Sequence, residues 1–529
     1  MTEALKQDFT EFVEDLKQIV GAPNVLMSEN DLRFYSSDVF KESILASLVV
    51  IPQTTEQLSK AIELSTKENF FVIPRGGGLS YTDSYLPKKH NSIIFDLQNL
   101  NKIIEINKDD MFVVVEAGCT WEKLYKELKN NNLRTPYFGA LSGLYSTVGG
   151  AMSQNSIFFG SGHYGSAADQ CLGLEVVLAD GSILRTGSWS TNYNPSPFFR
   201  SYGPDLTGLF LSDTGSLGFK TKIVMKLVNY PKITDFLSFS FENYDEIANS
   251  MSEISREGLA AECFGFDPYL QGQRLKREGI LKDFKSLANV AKSGNSVMSG
   301  LKDAAKVAIA GRSMFKGVPY SMHVVVDSES KEFSSEKIGK IRRIANLNNA
   351  KEIEPSLPKI MRANPFAPPN SMLGPNGERW VPIHAIVPHS RAKDLMYLVH
   401  DYFAQKSDLL EKHKIEWGYL LATISNQGFL MEPVFFWEDS RYLFHERYLG
   451  DDYISKLNNF EENIPARKAV ENLREDLSNL FMEFGAVHFQ IGRSYKYKEG
   501  KEQASWDLLK SLKKILDPKG LVNPGSLGL

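Results

Sequence analysis

Three consecutive glycines, Gly76-Gly77-Gly78, set the strongest constraint on how this chain folds. They follow the apolar run Phe71-Val72-Ile73 and Pro74-Arg75, which reads as a strand, and lead into Leu79-Ser80-Tyr81. Residues without Cβ reach positive φ freely and let backbone N–H groups approach a ligand closely. Bare N–H groups suit an anion such as a pyrophosphate, and Ser80 and Tyr81 add hydroxyl donors at the exit. The spacing is not the G-x-G-x-x-G that opens a helix in dinucleotide-binding folds, and no Gly-Lys-Ser/Thr follows as in a phosphate loop of nucleoside triphosphatases. Taken alone, the run is also what a glycine-rich surface turn looks like, so the rest of the chain has to decide.

A length of 529 residues allows two to four domains or subdomains, and 42% hydrophobic residues supply a sizeable core. The net charge of −4 argues against a general nucleic-acid binder. Cys119, Cys171 and Cys263 are far apart, which argues against a disulfide framework or a cysteine zinc site. The first residues are polar and acidic, unlike a signal peptide, and no apolar run has the length of a membrane span. A soluble cytoplasmic protein is the expectation.

Apolar spacing predicts a helix from Gln7 to Val20 and another from Glu56 to Glu68, capped by Thr54 or Thr55. Strands are predicted at Leu48–Ile51, Ser92–Leu97 and Met111–Glu116, with a helix over Trp121–Asn130. This alternation argues an α+β or α/β subdomain. A second glycine-rich segment is Thr147-Val148-Gly149-Gly150, and a third is Gly215-Ser216-Leu217-Gly218. Between them, Leu174–Gly181 reads as a strand entering an Asp-Gly turn, and Ile223–Leu227 as a closing strand. Further on, Tyr320–Asp327, Trp380–Val387 and the aromatic Met431–Trp437 alternate like sheet strands, the last with one face available to a substrate pocket. Lys282–Arg312 is mildly basic and amphipathic. It reads as a helical hairpin, or as a membrane-surface patch whose helicity Gly294, Asn295 and Gly300 break.

Residues 48–228 resemble the FAD-binding domain of the vanillyl-alcohol oxidase / para-cresol methylhydroxylase superfamily. The matching residues are Pro74-Arg75-Gly76-Gly77-Gly78, Thr147-Val148-Gly149-Gly150 with Asn155, Tyr164-Gly165 with Asp169, Gly173–Gly181 and Gly215–Gly218, in that order. Leu516–Gly525 resembles the superfamily's closing segment. The resemblance implies an α+β fold: a two-subdomain FAD-binding domain over residues 1–230, a cap with an antiparallel sheet over 231–485, and a segment, 486–529, that returns to the FAD domain. It assigns cofactor contacts to Pro74, Arg75, Gly76, Gly77, Gly78, Leu79, Ser80, Tyr81, Thr147, Gly149, Gly150, Asn155, Gly165, Gly215, Gly218, Ile223 and Asn523. Oxidation of an alcohol by a flavin needs a base for the hydroxyl proton and a positive group for developing charge or a substrate carboxylate. The segment Gly485–Tyr495 supplies His488 as base and Arg493 as bidentate anchor, given a turn at Gly492 that lets both reach the site. For His163 a structural hydrogen bond is expected. His384 and His389 face either pocket or solvent, and His445 sits at the surface.

Some members tether FAD through a histidine after the glycine loop or through a cap histidine or tyrosine. Here Leu79-Ser80-Tyr81 and Phe429-Leu430-Met431 stand at those places, so non-covalent FAD is expected. Metal-using hydroxy-acid dehydrogenases of the superfamily carry a histidine-rich cap segment. Ser425–Leu430 has no histidine, so no metal is expected. The expected activity is oxidation of a small hydroxylated compound, foremost a 2-hydroxy acid such as glycolate or D-lactate. The alternatives are a para-substituted phenol or benzylic alcohol, or a non-catalytic FAD-binding subunit of a complex. Oxygen, a quinone or a carrier protein would accept the electrons. A homo-oligomer and a peripheral position at the inner membrane surface stay open.

Overall fold

Among the described residues the strands form three larger sheets and one two-stranded pair, Leu133–Arg134 with Val228–Asn229, and two of the larger sheets carry the glycine loops. The computed structural model describes residues 3–276 and 318–529. The basic stretch Lys282–Arg312 lies outside them. The protein is α+β.

In the first sheet the strands lie in the order Val25–Leu26, Leu48–Val50, Ser92–Asp96 and Phe71–Arg75, the last three parallel. Helices Glu3–Val20 and Thr55–Lys67 cover one face, the second capped by Thr54, whose side chain accepts from Gln57 N–H. The two helices bury Leu16, Leu58 and Ile62 against Val50, Val72 and Phe95. Leu521–Asn523 extends this sheet along its edge: Val72 N–H donates to Leu521 O, and Asn523 N–H to Val72 O. The second sheet is antiparallel, in the order Ile103–Asn107, Phe112–Glu116, Phe219–Lys226, Cys171–Val177 and Ile183–Arg185. Trp121–Asn130, a helix at the residues its periodicity indicates, packs on it through Trp121, Leu124 and Leu128.

The third sheet has eight antiparallel strands. Their order is Lys351–Ile353, Ile233–Phe241, Tyr320–Ser328, Glu262–Phe266, Glu416–Ile424, Gly428–Trp437 and Arg379–Pro382, with Ala385–Pro388 also on Gly428–Trp437. One face packs under helices Tyr244–Arg256, Lys331–Leu347, Ala392–Gln405 and Ile464–Glu483 and buries Phe429, Met431, Phe435 and Trp437. The opposite face carries Phe264, Leu420, Leu430, Val434 and Phe436 and meets Ile157 and Phe489. The single strand expected over Trp380–Val387 is broken in two, because His384 N–H donates to the Tyr495 hydroxyl instead of to the sheet. Register is nevertheless kept. Pro382 faces Val434, Ile383 N–H donates to Pro433 O, and Ala385 faces Met431, which sets His384 opposite Glu432.

Candidate functional site

A cleft lies between the glycine loop, the segment Ser146–Ser156 and the turn at Thr214–Lys220. Of the residues expected to touch the cofactor, Pro74, Arg75, Gly76, Gly77, Gly78, Leu79, Ser80, Thr147, Gly149, Gly150, Gly215 and Gly218 line it. The glycines are obligatory where the walls approach: a Cβ on Gly77 would run into the Tyr145 carbonyl, and one on Gly78, at φ +67°, into the Arg75 guanidinium. Arg75 is buried behind the loop, boxed by the rings of Phe34, Tyr35 and Tyr85 at 5.1, 4.7 and 5.5 Å. Among the described residues no carboxylate forms an ion pair with it, but the buried Asp96 attracts it electrostatically, so only part of its charge is left for an anion in front of the loop.

The loop's polar groups are sorted by direction. Side chains hold its carbonyls: Gln98 Nε2 donates to Gly76 O at 3.3 Å, the Tyr448 hydroxyl to Gly77 O at 2.6 Å, and the Tyr85 hydroxyl to Gly78 O. The N–H groups of Gly76, Gly77, Gly78 and Leu79 have no acceptor among the described residues. Two buried side-chain atoms elsewhere in the wall, Ser146 Oγ and Gln154 Oε1, also lack a partner. Buried polar groups are rarely left so in a finished structure. Free backbone donors for two phosphates, plus polar groups along a long cleft, fit FAD.

Five expected contacts lie elsewhere. Asn155, at φ +53°, ends helix Val148–Gln154 and accepts from Ala168 N–H at 3.1 Å. At Gly165, φ is +82°, and a Cβ there would meet Asp169, which instead accepts from Ser166 N–H. Ile223 is buried in mid-strand. Asn523 Nδ2 donates at 2.8 Å to both Ser84 O and Thr214 O, tying together two segments of the wall. Tyr81 turns away from the cleft toward the third sheet. Its ring meets Trp380 edge-on and its hydroxyl donates to Glu432 Oε2 at 3.5 Å.

His488 and Arg493 are not brought together in the cleft wall. Arg493 spends its guanidinium on protein: Nε and Nη2 donate to Pro524 O at 3.2 and 2.7 Å, Nη2 to Asn523 Oδ1 at 2.9 Å, and Nη1 to Asp83 O and Leu86 O. It staples the segment after the glycine loop to Asn523-Pro524. His488 donates from Nδ1 to His384 O at 2.8 Å and stacks on Tyr495 at 4.0 Å. Burial lowers its pKa to about 4, so the ring is neutral. Fully buried His384 is also held neutral, by burial and then by the nearby His488. Its Nε2 faces Phe489 O at 2.7 Å, which places the ring proton there, so the Tyr495 hydroxyl donates to Nδ1 at 2.8 Å.

His445 is not at the surface. It is fully buried, accepting from Tyr442 N–H at Nδ1 and donating from Nε2 to Val39 O at 3.1 Å, and burial drives its pKa well down. His163 is exposed, its ring edge-on to Tyr164, and His389 is half-buried at the end of the strand Ala385–Pro388.

Sequence reasoning missed two residues at the meeting of cleft and third sheet. Glu432 lies between Leu430 and Val434 on the face that packs on Ile157 and Phe489, the chain neighbours of the cleft residues Ser156 and Gln490. A carboxylate within the apolar run from Gly428 to Trp437 was the available signal. Gln490 lines the cleft at φ +47°, its N–H donating to Gln154 O at 2.6 Å. No sequence pattern marks such a conformation. Among the described residues no cluster of metal-ligating side chains occurs, the three cysteines are buried free thiols, and no helix is long and apolar enough to cross a membrane.

Residues 46–187 match the FAD binding domain family. The chain is 28% identical over 256 residues to D-lactate dehydrogenase (cytochrome) 1, mitochondrial, of Saccharomyces cerevisiae, covering 47% of this chain and 42% of that protein. It is 28% identical over 242 residues to glycolate oxidase subunit GlcD of Bacillus subtilis, covering 46% and 50%. It is also 28% identical over 255 residues to the 4-cresol dehydrogenase (hydroxylating) flavoprotein subunit of Pseudomonas putida, covering 47% and 48%. The chain thus spans about half the length of the curated relatives it matches. Whole-chain likeness comes from solved structures. Substrate-bound p-cresol methylhydroxylase gives a TM-score of 0.72 at 18% identity over 100% of this chain and 98% of that one. An alkyldihydroxyacetonephosphate synthase gives 0.68 at 15% over 97% and 84%. The cofactor is FAD, residues 46–187 form an FAD binding domain, and the whole chain shares the fold of p-cresol methylhydroxylase.

Proposed function

We propose that this chain is an FAD-dependent oxidoreductase that oxidises a small hydroxylated substrate, with Glu432 receiving the hydroxyl proton. The observation that carries this is the position of Glu432, half-buried on an apolar sheet face where that face adjoins the cleft, with Tyr81 donating to it at 3.5 Å. FAD, when bound, supplies the two-electron acceptor for the hydride that leaves the carbinol carbon. Glu432 takes the proton from the substrate oxygen as the carbonyl forms. Tyr81 keeps one carboxylate oxygen oriented, and Phe264, Leu430 and Phe436 keep water away. The N–H groups of the glycine loop hold the phosphates. In this reading residues 1–230 form the cofactor half, 231–485 the cap and 486–529 the closing segment.

Two substrate classes are separated by charge. The names of the D-lactate and glycolate relatives support a 2-hydroxy acid. The 4-cresol relative supports a para-substituted phenol or benzylic alcohol. The geometry favours this neutral class, because Arg493, the carboxylate anchor expected from the sequence, is committed to protein acceptors and Glu432 would repel an anion. Anaerobic bleaching of the flavin against a panel of hydroxy acids, phenols and alcohols tests both levels. Reduction by neutral hydroxylated compounds is expected. Reduction by glycolate or D-lactate alone overturns the neutral class, and reduction by no member of the panel overturns the oxidoreductase reading.

A further inference from the structure

We propose that Tyr448, outside the cofactor half, is a positioning residue for FAD that aims the N–H groups of the glycine loop. A peptide unit is planar and trans, so fixing a carbonyl on one side points the next residue's N–H to the other. The carbonyls of Gly76, Gly77 and Gly78 are held by Gln98, Tyr448 and Tyr85, which directs the N–H groups of Gly77, Gly78 and Leu79 oppositely. Glycine has no intrinsic preference that would hold these orientations, so side chains must supply them. Gln98 and Tyr85 are local to the loop. Tyr448 arrives from helix Leu443–Leu449, some 370 positions along the chain.

Its placement is over-determined. The helix is docked on the segment Asp31–Val39 by the Phe444–Phe34 stack at 5.9 Å, the Arg447–Asp31 ion pair at 3.1 Å and the bond from His445 to Val39 O. The Tyr448 hydroxyl also accepts from Arg75 Nη2 at 3.3 Å, which commits its own proton to Gly77 O. Because several contacts dock this helix, losing one of them leaves the Tyr448 hydroxyl at the Gly77 carbonyl.

The test is the dissociation of FAD from the purified holoprotein, read by flavin fluorescence on dilution without substrate, so its outcome is independent of what the protein oxidises. Loss of one hydrogen bond predicts that Tyr448→Phe weakens FAD binding roughly fivefold to tenfold. Phe444→Leu perturbs the packing of the same helix and keeps the hydroxyl, and it should bind FAD almost as the parent does. Unchanged affinity in Tyr448→Phe overturns the proposal. Equal weakening in both variants overturns it too, since packing would then explain the loss. Should Tyr448→Phe fail to fold, Tyr85→Phe frees the Gly78 carbonyl and keeps its ring beside Arg75, and parental affinity there overturns the carbonyl-anchoring argument.

Discussion

Arg134, at the end of the cofactor half's short strand Leu133–Arg134, meets Asp327 of the third sheet at 2.8 Å, with both side chains almost wholly buried. Arg362 reaches the same carboxylate and also pairs with Glu262 at 3.0 Å. Burial alone would raise the Asp327 pKa, but Arg362 and Arg134 bring it down to about 2. Asp327→Asn leaves two buried guanidinium groups short of a counter-charge. Breaking a buried pair in this way costs about 3–5 kcal/mol. Thermal melting should fall by several degrees, and a melt like that of the parent would show that the junction carries no such energy.

Gly77→Val should fold and lose its flavin. A β-branched side chain at this point collides with the Tyr145 carbonyl and pushes the loop out of its orientation. The ratio of flavin to protein absorbance in purified material reads the result. Parental flavin content would remove the loop from cofactor binding.

Glu432→Gln should slow flavin reduction by about 10²–10⁴-fold, the range of general-base catalysis, with flavin content unchanged. His488→Asn should slow it far less, because His488 lies outside the cleft wall and its Nδ1 is spent on His384 O. Stopped-flow reduction compares the two, and the opposite ranking would return the base to His488.

Arg493→Lys separates anchor from staple. A lysine cannot reproduce the set of bonds to Asp83, Leu86, Asn523 and Pro524. Lower thermal stability is expected, with little change in the substrate dissociation constant taken from the dependence of reduction rate on concentration. A large rise in that constant at parental stability would restore the carboxylate-anchor role.

Acid should destabilise the fold well above the pH at which carboxylates titrate. His384, His445 and His488 all have folded pKa values below the ordinary value near 6.5, that of His488 about 4. Between those limits the unfolded chain binds more protons than the folded one, so stability rises with pH through this window. It is complete above about 6.5 and falls as pH drops toward 4, by about 1.4 kcal/mol per pH unit for each proton taken up. Melting temperatures across pH 7 to 4.5 check this. A flat profile would mean that these rings meet water.

What the sequence made legible follows from what is local. The glycine loop, the helices Thr55–Lys67 and Trp121–Asn130 and the strand pattern of the cofactor half come from periodicity, caps and turns, which operate within a dozen residues. The break at Ile383-His384 was not legible, because it is made by Tyr495, more than a hundred positions away. The fate of Arg493 was hidden for the same reason: its acceptors are carbonyls of Asp83 and Pro524, and a backbone carbonyl leaves no trace in composition. His445 looked superficial among charged neighbours, yet its partner is Val39 O at the other end of the chain. Glu432 was in plain view in an aromatic strand. Only the order of the eight strands shows which face it serves.

The strand that carries the glycine loop is completed along its edge by Leu521–Asn523. During synthesis, Val72 therefore leaves the ribosome long before its partner Val522, and the whole third sheet is made in the interval. Until then an edge of the cofactor half stays open to stray strands, and Asn523 is not yet present to tie Ser84 to Thr214. FAD loading is therefore expected only once the polypeptide has passed residue 523, and flavin uptake by nascent chains arrested before and after that point checks it.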